Sequence, residues 1–341
     1  MTNPSIRLLA ASALAAGLMA AGSICSAAAL NVGATSATSS LIMFVATDKG
    51  YFAKHGIDVK LFVRNTGPEL SKSLDAGEID LAPAAITNIP VALERGLDVR
   101  AVVNYVGGTY TKEADDDSMG IVVRGDSGIG SVAGLKGKKV GATFGTGSDL
   151  YLQEVMKKHD LAPAMIERVN VPPPSSVALL DAGGLHAMVT WEPYVTSMLD
   201  KVKGSRLLIR NGGFTCFCAS LHGKPERVYR DRGQTQAFVD AMAEAAFFVR
   251  EPKNLDAVAA IAARYIPGMD PGIIKRTHKH WTYDVRIGEN THKAFSRSAR
   301  LLVSQKKMQA PYDPAKYYDF SFIRRTLERH PEWFKDLPPG S

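Results

Sequence analysis

The chain has 341 residues, of which 45% are hydrophobic and 22% are charged, an ordinary globular composition long enough for two domains. Its formal net charge of +7 is spread along the sequence, and the longest basic clusters are KGKK at 136–139 and KRTHKH at 275–280. Clusters this short are typical of a solvated face, so a nucleic-acid-binding protein is not expected.

The N-terminus has the three-part pattern of a secretory signal peptide. Arg7 precedes an apolar run from Leu8 to Ala21, and Ala27, Ala28 and Ala29 supply an A-x-A cleavage signal. The run is short for a transmembrane helix, and no later stretch approaches about 20 uninterrupted apolar residues. We therefore assign residues 1–29 to a signal peptide and expect an exported protein.

An internal repeat organises the rest of the chain. VGATSATSS at 32–40 resembles VGATFGTGS at 140–148, and LDAGEIDLAPAAITNIP at 74–90 resembles LDAGGLHAMVTWEPYV at 180–195. The two offsets are 108 and 106 residues, so both the order and the spacing are preserved. The period is too long for a short solenoid repeat and indicates one α/β unit used twice.

Each unit has the same predicted elements in the same order. A short strand, LNVGAT at 30–35 or KKVGAT at 138–143, ends in a turn of small residues and is followed by a helix. A second strand, a helix, a buried strand and a last helix complete the unit, and Gly77 and Gly183 stand where helix C-terminal glycines belong. Strands that alternate with helices predict parallel sheets with crossover helices.

Two segments are predicted to connect the units. MGIVVR at 119–124 is predicted to be a strand that leaves the first unit. SRLLIRNGGFTCFCASL at 205–221 is predicted to be a strand or strand pair that returns to it. ADDDS at 114–118 is expected to be exposed, and the chain from about residue 224 has a helical pattern. We predict an α/β fold with two hinge crossovers, in which lobe I is 30–120 plus 214–341 with the C-terminal helices, and lobe II is 121–213.

The predicted site lies at four turns. Ligands of open α/β sheets bind beyond the carboxyl ends of the strands, and each unit offers two such turns. Three of the four carry hydroxyl or amide side chains at a predicted helix start, where free N–H groups and the helix dipole favour an anion. The expected ligand-binding residues are Thr38, Ser39, Ser40, Thr87, Asn88, Thr146, Gly147, Ser148, Trp191, Glu192 and Tyr194.

The glycine-rich turn GATFGTGSD at 141–149 fits neither common nucleotide motif. It lacks the lysine of a P-loop, and Leu150 stands where the dinucleotide fingerprint requires its third glycine. A simpler alternative is that Thr146 or Ser148 only caps the helix, a role worth ~1 kcal/mol. Capping alone does not explain why both units carry hydroxyls at the equivalent turn.

The stretch TWEPY at 190–194 leaves alternatives open. Trp191 and Tyr194 could form a stacking wall over an apolar part of the ligand. Glu192 could accept a hydrogen bond from a ligand amine, bond to backbone N–H groups of its own loop, or act as a first-turn helix acid. Since no arginine lies within the four turns, a mono-anion or a polar neutral molecule is favoured over a dianion.

Cys216 and Cys218 in TCFCASL are expected to be two small buried hydrophobic residues. In a strand, residues two apart have Cα atoms about 6.6 Å apart, a spacing that seldom allows a disulfide. His222 lies near in sequence but completes no zinc spacing, so neither a metal nor a cofactor is predicted.

ATDKGYFAKHGIDVKLF at 46–62 resembles the signature of periplasmic binding proteins that supply ABC importers for nitrate, taurine and aliphatic sulfonates. The same family includes proteins that bind the thiamine pyrimidine precursor. LDAGEIDLAPAAI, VALERGLDVRAVV, VAGLKGKKVGATFGTGSDLYL and VTWEPYVTSML extend the resemblance over roughly 30–250. It implies a two-lobed type II periplasmic-binding-protein fold, a small-molecule ligand in the cleft, an ABC permease of the inner membrane as partner, a monomer, and a location in the periplasm.

The expected function is therefore that of a solute-binding protein, not an enzyme, with a small organic anion such as a sulfonate, taurine or nitrate as ligand. One alternative is binding of the thiamine pyrimidine precursor, or a synthase-like enzyme on the same fold. Fungal synthases of that pyrimidine resemble the family and carry a cysteine-rich stretch similar to TCFCAS, although the export signal argues against an intracellular synthase. The ligand-sensing domain of a regulator is a third possibility that lacks an accompanying DNA-binding segment.

Overall fold

The computed structural model describes residues 29–339, so the predicted signal peptide lies outside the described residues except for Ala29. Ten strands form in this part of the chain: β1 (Leu30–Thr35), β2 (Val59–Arg64), β3 (Ala82–Ala85), β4 (Arg100–Val106), β5 (Met119–Val123), β6 (Lys139–Ala142), β7 (Glu167–Asn170), β8 (Ala187–Trp191), β9 (Arg206–Arg210) and β10 (Ala219–Gly223).

Thirteen α-helices accompany the strands between residues 29 and 339: α1 (Leu41–Asp48), α2 (Tyr51–Lys54), α3 (Gly67–Asp75), α4 (Ile89–Glu94), α5 (Gly147–Lys158), α6 (Ser176–Asp181), α7 (Tyr194–Lys201), α8 (Pro225–Val228), α9 (Arg232–Arg250), α10 (Leu255–Ala263), α11 (Pro271–Thr277), α12 (Glu289–Ser304) and α13 (Ser321–Arg329). Across these residues no helix has the length and apolar character that a membrane span needs.

The strands form two arrangements with the same order. In the first, β1 pairs with β2 in parallel, a parallel bridge joins Val32 to Leu81 just before β3, and β10 lies between β3 and β4. The resulting order is β2-β1-β3-β10-β4, and the second sheet has the order β7-β6-β8-β5-β9. The correspondence confirms that one α/β unit is used twice.

The molecule has two halves, one built around each of these strand arrangements, and the halves exchange a strand. β5 follows β4 in the chain but pairs antiparallel with β8 and β9, and β10 follows β9 but pairs antiparallel with β3 and β4. Each sheet therefore contains one strand that arrives from the opposite half. The two-lobed α/β fold with two crossings is confirmed, and every residue of β5, β8 and β10 is buried, as strands covered on both faces require.

The repeat is visible at the ends of β1 and β6. The Thr35 N–H donates to Ser40 Oγ at 3.0 Å, and the Thr143 N–H donates to Ser148 Oγ at 3.1 Å, 108 residues later. Gly77 and Gly183, which follow α3 and α6, both have left-handed backbone conformations, with φ near +75° and +79°.

The C-terminal helices complete the first half. Helix α9 packs against α1, α2 and α13, and the Phe238 ring on α9 stacks on Phe52 with ring centroids 5.4 Å apart. α13 ends at Arg329, and the residues from Pro331 to Phe334 form a short 3-10 turn. The helical pattern predicted after residue 224 is thus confirmed.

The prediction that ADDDS is exposed was wrong: Asp116 and Ser118 are buried, and Ala114, Asp115 and Asp117 are half-buried. Asp116 is only 1% exposed, and its carboxylate accepts hydrogen bonds from the backbone N–H groups of Gly213, at 3.1 Å, and Phe214, at 2.7 Å. Desolvation by burial raises the pKa of this carboxyl, and the backbone donors offset part of that effect. The three consecutive acids looked like a solvated run, but the middle one joins the two crossing segments.

The prediction for the cysteines was half right. Cys216 and Cys218 are both buried, as expected, but a disulfide joins them. The expectation assumed a fully extended backbone, whereas β10 begins only at Ala219 and the Cα atoms of the two cysteines are 5.1 Å apart. That separation lies within the range that a disulfide spans.

Candidate functional site

A small cavity lies where the two halves face each other. Its volume is about 40 Å³, and all four predicted turns contribute to its wall. Its lining residues, none with a formal charge, are Thr35, Ser39, Gly67, Pro68, Pro83, Ala85, Asn88, Tyr105, Thr146, Gly147, Trp191, Phe217 and Ala219. A ligand held here meets hydroxyls, amides and aromatic rings, and burial raises the pKa of Tyr105 so that its phenol stays neutral.

An open groove of about 1010 Å³ adjoins the cavity and shares Pro68, Asn88 and Thr146 with it. Charged side chains of both signs line this groove: Lys72, Asp75, Arg95, Asp98, Asp149, Lys224, Glu226, Lys306 and Lys307. The uncharged cavity is therefore separated from bulk solvent by a charged vestibule.

The first turn, after β1, is a single 3-10 turn from Thr38 to Ser40. Thr38 Oγ1 accepts a hydrogen bond from the Trp281 indole N–H at 2.9 Å, and Ser40 Oγ accepts from the Thr35 N–H. Only Ser39 of the three faces the cavity. The hydroxyls of Thr38 and Ser40 hold the turn in place.

The second turn, after β3, provides Thr87 and Asn88. Asn88 precedes α4, makes no capping bond with its side chain, and lines both the cavity and the groove. Thr87 is 2% exposed, yet its Oγ1 has no hydrogen-bond partner. Since an unpaired buried hydroxyl costs about 1–3 kcal/mol, this atom is suited to a bound polar group.

The third turn starts α5. Thr146 and Gly147 line the cavity, and a Cβ added at Gly147 would lie 3.3 Å from Thr87 Oγ1. The start of a 12-residue helix therefore faces the unpaired hydroxyl of the opposite half. Ser148 Oγ instead bonds to the Thr143 N–H, and Thr146 Oγ1 donates to the Thr143 carbonyl at 2.7 Å.

The fourth turn, after β8, places Trp191 in the cavity wall. Tyr194 is also buried, and its hydroxyl donates to the carbonyl oxygen of Ser36, in the first half, at 2.7 Å. Burial raises the pKa of Tyr194 to about 12, so the phenol remains a donor across the physiological range. Tyr194 therefore connects the two halves beside the cavity.

Glu192 does not line the cavity. Its side chain is fully buried and pairs with the guanidinium of Arg210 on β9. The Thr196 N–H and hydroxyl, both at 3.0 Å, complete its hydrogen bonds. Of the roles considered for Glu192, the arrangement corresponds to the local one, in which the carboxylate bonds within its own loop and the first turn of α7.

Sequence reasoning missed Phe217 and Trp281. Phe217 lies in the second crossing, stacks on Trp191 with ring centroids 5.2 Å apart, and approaches Trp281 at 5.6 Å. The phenylalanine between the two cysteines of TCFCAS was the available signal, but this stretch was interpreted only through its cysteines. Trp281 comes from the C-terminal segment and had no local motif.

The charged groups nearest the third turn are neutralised by partners. Asp149, in the first turn of α5, pairs with Arg168 of β7 and with Lys307 at 3.1 Å. Among residues 29–339, no group of three or more His, Cys, Asp or Glu side chains is arranged to hold a metal ion. The cavity wall offers hydroxyls, amides and aromatic rings, and its lining residues carry no formal charge.

A model of the NMT1-like family matches residues 26–263, more than two thirds of the chain. This protein belongs to the NMT1-like family. The resemblance to nitrate- and sulfonate-binding proteins is confirmed at the level of the family.

Relatives of this NMT1-like protein include binding proteins. A Bacillus subtilis protein named as a candidate aliphatic sulfonates-binding protein is 24% identical over 302 residues, or 84% of this chain and 85% of its own length. The alkanesulfonate-binding protein SsuA from Xanthomonas axonopodis pv. citri, solved with MOPS, superposes with a TM-score of 0.74 at 22% identity. That alignment covers 86% of this chain and 99% of the other, and it establishes the shared fold.

An enzyme is also related to this NMT1-like protein. The 4-amino-5-hydroxymethyl-2-methylpyrimidine phosphate synthase of Saccharomyces cerevisiae is 24% identical over 220 residues, or 61% of this chain and 62% of its own length. The synthase-like alternative is not favoured, because the match is shorter than those to the binding proteins. In addition, the two cysteines of TCFCAS are bonded to each other.

Proposed function

We propose that this NMT1-like protein is the extracytoplasmic solute-binding protein of an ABC importer and holds a small organic mono-anion in the cavity between its halves. The observation that carries the proposal is the convergence of four turns, two from each unit, on one uncharged cavity. At its edge the start of α5 faces the unpaired hydroxyl of Thr87, which lines the adjoining groove.

The chemistry of the cavity suits an anion with a compact apolar part. The first backbone N–H groups of α5 and the positive end of its dipole attract the charged head, and hydroxyl and amide groups complete its hydrogen bonds. Trp191, Phe217 and the prolines of the wall contact the apolar part. An alkyl sulfonate fits this description, with taurine and nitrate as further members of the class.

Binding is proposed to proceed by closure of the two halves, with no bond made or broken in the ligand. The Tyr194 to Ser36 hydrogen bond forms across the halves and belongs to the closed form, which is the form that docks on the permease. The protein acts in the periplasm as a monomer after removal of residues 1–29.

Thr87→Val is the direct test. The replacement keeps the shape of the side chain and removes the unpaired hydroxyl, so affinity for methanesulfonate is expected to fall about tenfold, the effect of one hydrogen bond to a charged group. Isothermal titration calorimetry measures the change in Kd.

Thr190→Val is the matched control. Thr190 also has a fully buried Oγ1 without a partner, but unlike Thr87 it lines neither the cavity nor the adjoining groove, so its replacement is expected to leave Kd unchanged. Equal effects of the two variants would show that the Thr87 hydroxyl takes no part in binding. If the wild-type protein binds no member of a panel of methanesulfonate, taurine, nitrate and benzoate, the proposed function itself fails.

A further inference from the structure

The ring of Phe217 limits the space in the cavity. It is stacked on Trp191 and adjacent to Trp281, and it lies directly against the first residue of α5, since a Cβ added at Gly147 would clash with it. The ring therefore borders the helix start and narrows the space beside the place where the charged head of an anion is proposed to bind.

Backbone contacts on both sides of Phe217 hold the main chain that carries the ring. The Phe217 N–H donates to the Asp115 carbonyl at 2.8 Å, and the Cys218 carbonyl accepts from the Ile86 N–H at 2.9 Å. These bonds attach the second crossing to the first crossing and to the chain just after β3. Cys218 also packs against Gly107, where an added Cβ would lie 2.6 Å from its Sγ. The crossing segment thus fixes the main chain at Phe217, and the ring itself packs against Trp191 and Trp281.

We propose that Phe217 is the residue that determines specificity for ligand size, restricting this site to anions with a small alkyl body and excluding aryl anions. The inference rests on the proposed function. The cavity volume of about 40 Å³ is well below the cavity volume of about 150 Å³ that accepts a benzene ring. Removal of one phenyl ring in front of α5 adds space of that order.

Phe217→Ala tests the proposal through a ratio of affinities. The wild-type protein is expected to bind methanesulfonate at least tenfold more tightly than benzenesulfonate. In Phe217→Ala the ratio of the two Kd values is expected to shift at least tenfold toward benzenesulfonate, as for other changes of pocket size. Because a ratio is measured, a general loss of affinity common to both ligands cancels.

Phe214→Ala is the matched control, since Phe214 belongs to the same crossing but packs edge-on against Tyr151, with ring centroids 5.5 Å apart, and does not line the cavity. It is expected to keep the wild-type ratio. If Phe217→Ala does not fold, as judged by circular dichroism, Phe217→Leu replaces it, with a smaller shift in the same direction expected.

The possible outcomes separate the two proposals. A wild-type protein that binds methanesulfonate, together with a Phe217 variant whose ratio stays within twofold of wild type, overturns the role of Phe217 and leaves the proposed function standing. A wild-type protein that prefers benzenesulfonate also overturns it. Absence of binding to both sulfonates by the wild type overturns the role of Phe217, and the proposed function fails as well only if taurine, nitrate and benzoate are not bound either.

Discussion

His222 on β10 is a fully buried histidine outside the cavity. Its Nδ1 lies 2.9 Å from the Tyr317 hydroxyl, and its Nε2 has no hydrogen-bond partner. Desolvation lowers the pKa of His222 to about 3, so the folded protein keeps the ring neutral. In the unfolded chain the same ring has the ordinary pKa of about 6.5 and takes up a proton in mild acid.

The pH dependence of stability follows from that difference. Between pH 6.5 and pH 3 the unfolded chain binds a proton that the folded protein does not, so the His222 contribution is fully present above pH 6.5. It is lost on acidification at about 1.4 kcal/mol per pH unit. In urea unfolding at pH 7, 6 and 5, His222→Gln is expected to lack this slope.

The exposed His159 supplies the control for that measurement, because His159→Gln is expected to keep the wild-type slope. A wild-type slope in His222→Gln would show that the buried ring is not the responsible group.

At the scale of elements, the two repeats use the same device to join a strand to a helix. Ser40 and Ser148, 108 residues apart, each accept a hydrogen bond from the backbone N–H of a threonine at the end of the preceding strand. Both serines are fully buried. These hydroxyls were predicted to bind the ligand, but the contacts they make support the turns that position Ser39 and Gly147.

The equivalence of the two turns predicts that loss of either serine hydroxyl lowers the free energy of unfolding by a similar amount. Ser40→Ala and Ser148→Ala each leave a buried N–H without its acceptor, so each is expected to lower the free energy of unfolding by about 1–3 kcal/mol. Because the sites lie in different sheets, the double variant is expected to show the sum within about 0.5 kcal/mol. Chemical denaturation measures all three. A large loss for only one serine would mean that the repeats are not energetically equivalent.

At the scale of the whole molecule, contacts between the halves lie on more than one side of the cavity. Tyr194 bonds to Ser36, and Lys307, beyond α12, pairs with Asp149 of α5. Nearby, Leu150 of α5 packs with Leu302 and Met308 in a small cluster. The C-terminal segment therefore contributes contacts between the halves as well as to the core of the first half.

Tyr194→Phe tests the coupling of closure to binding. The variant keeps the ring and removes one hydrogen bond between the halves, worth about 1 kcal/mol, so Kd for methanesulfonate is expected to rise about fivefold. The free energy of unfolding should change by less than about 1.5 kcal/mol. Calorimetry gives Kd, and small-angle scattering with and without methanesulfonate reports the closure.

Tyr229→Phe is the control, because the Tyr229 hydroxyl bonds to Asp319 within the first half and is expected to leave affinity unchanged. A Kd for Tyr194→Phe equal to that of wild type would show that this bond does not favour the closed form.

The repeat, the alternation of strands and helices and the four turns are all predictable from the amino-acid sequence. These features depend on local patterns of a few residues, such as VGAT followed by hydroxyl side chains, which mark the end of a strand and the start of a helix. Which turn residues face the cavity depends instead on the packing of distant segments. The Glu192 carboxylate pairs with Arg210 on β9, whereas the Thr87 hydroxyl has no partner. Contacts between segments that are distant in the sequence determine both outcomes. For the same physical reason Phe217 lines the cavity and Trp281 packs next to it: the strand exchange and the C-terminal segment bring them there from far along the chain.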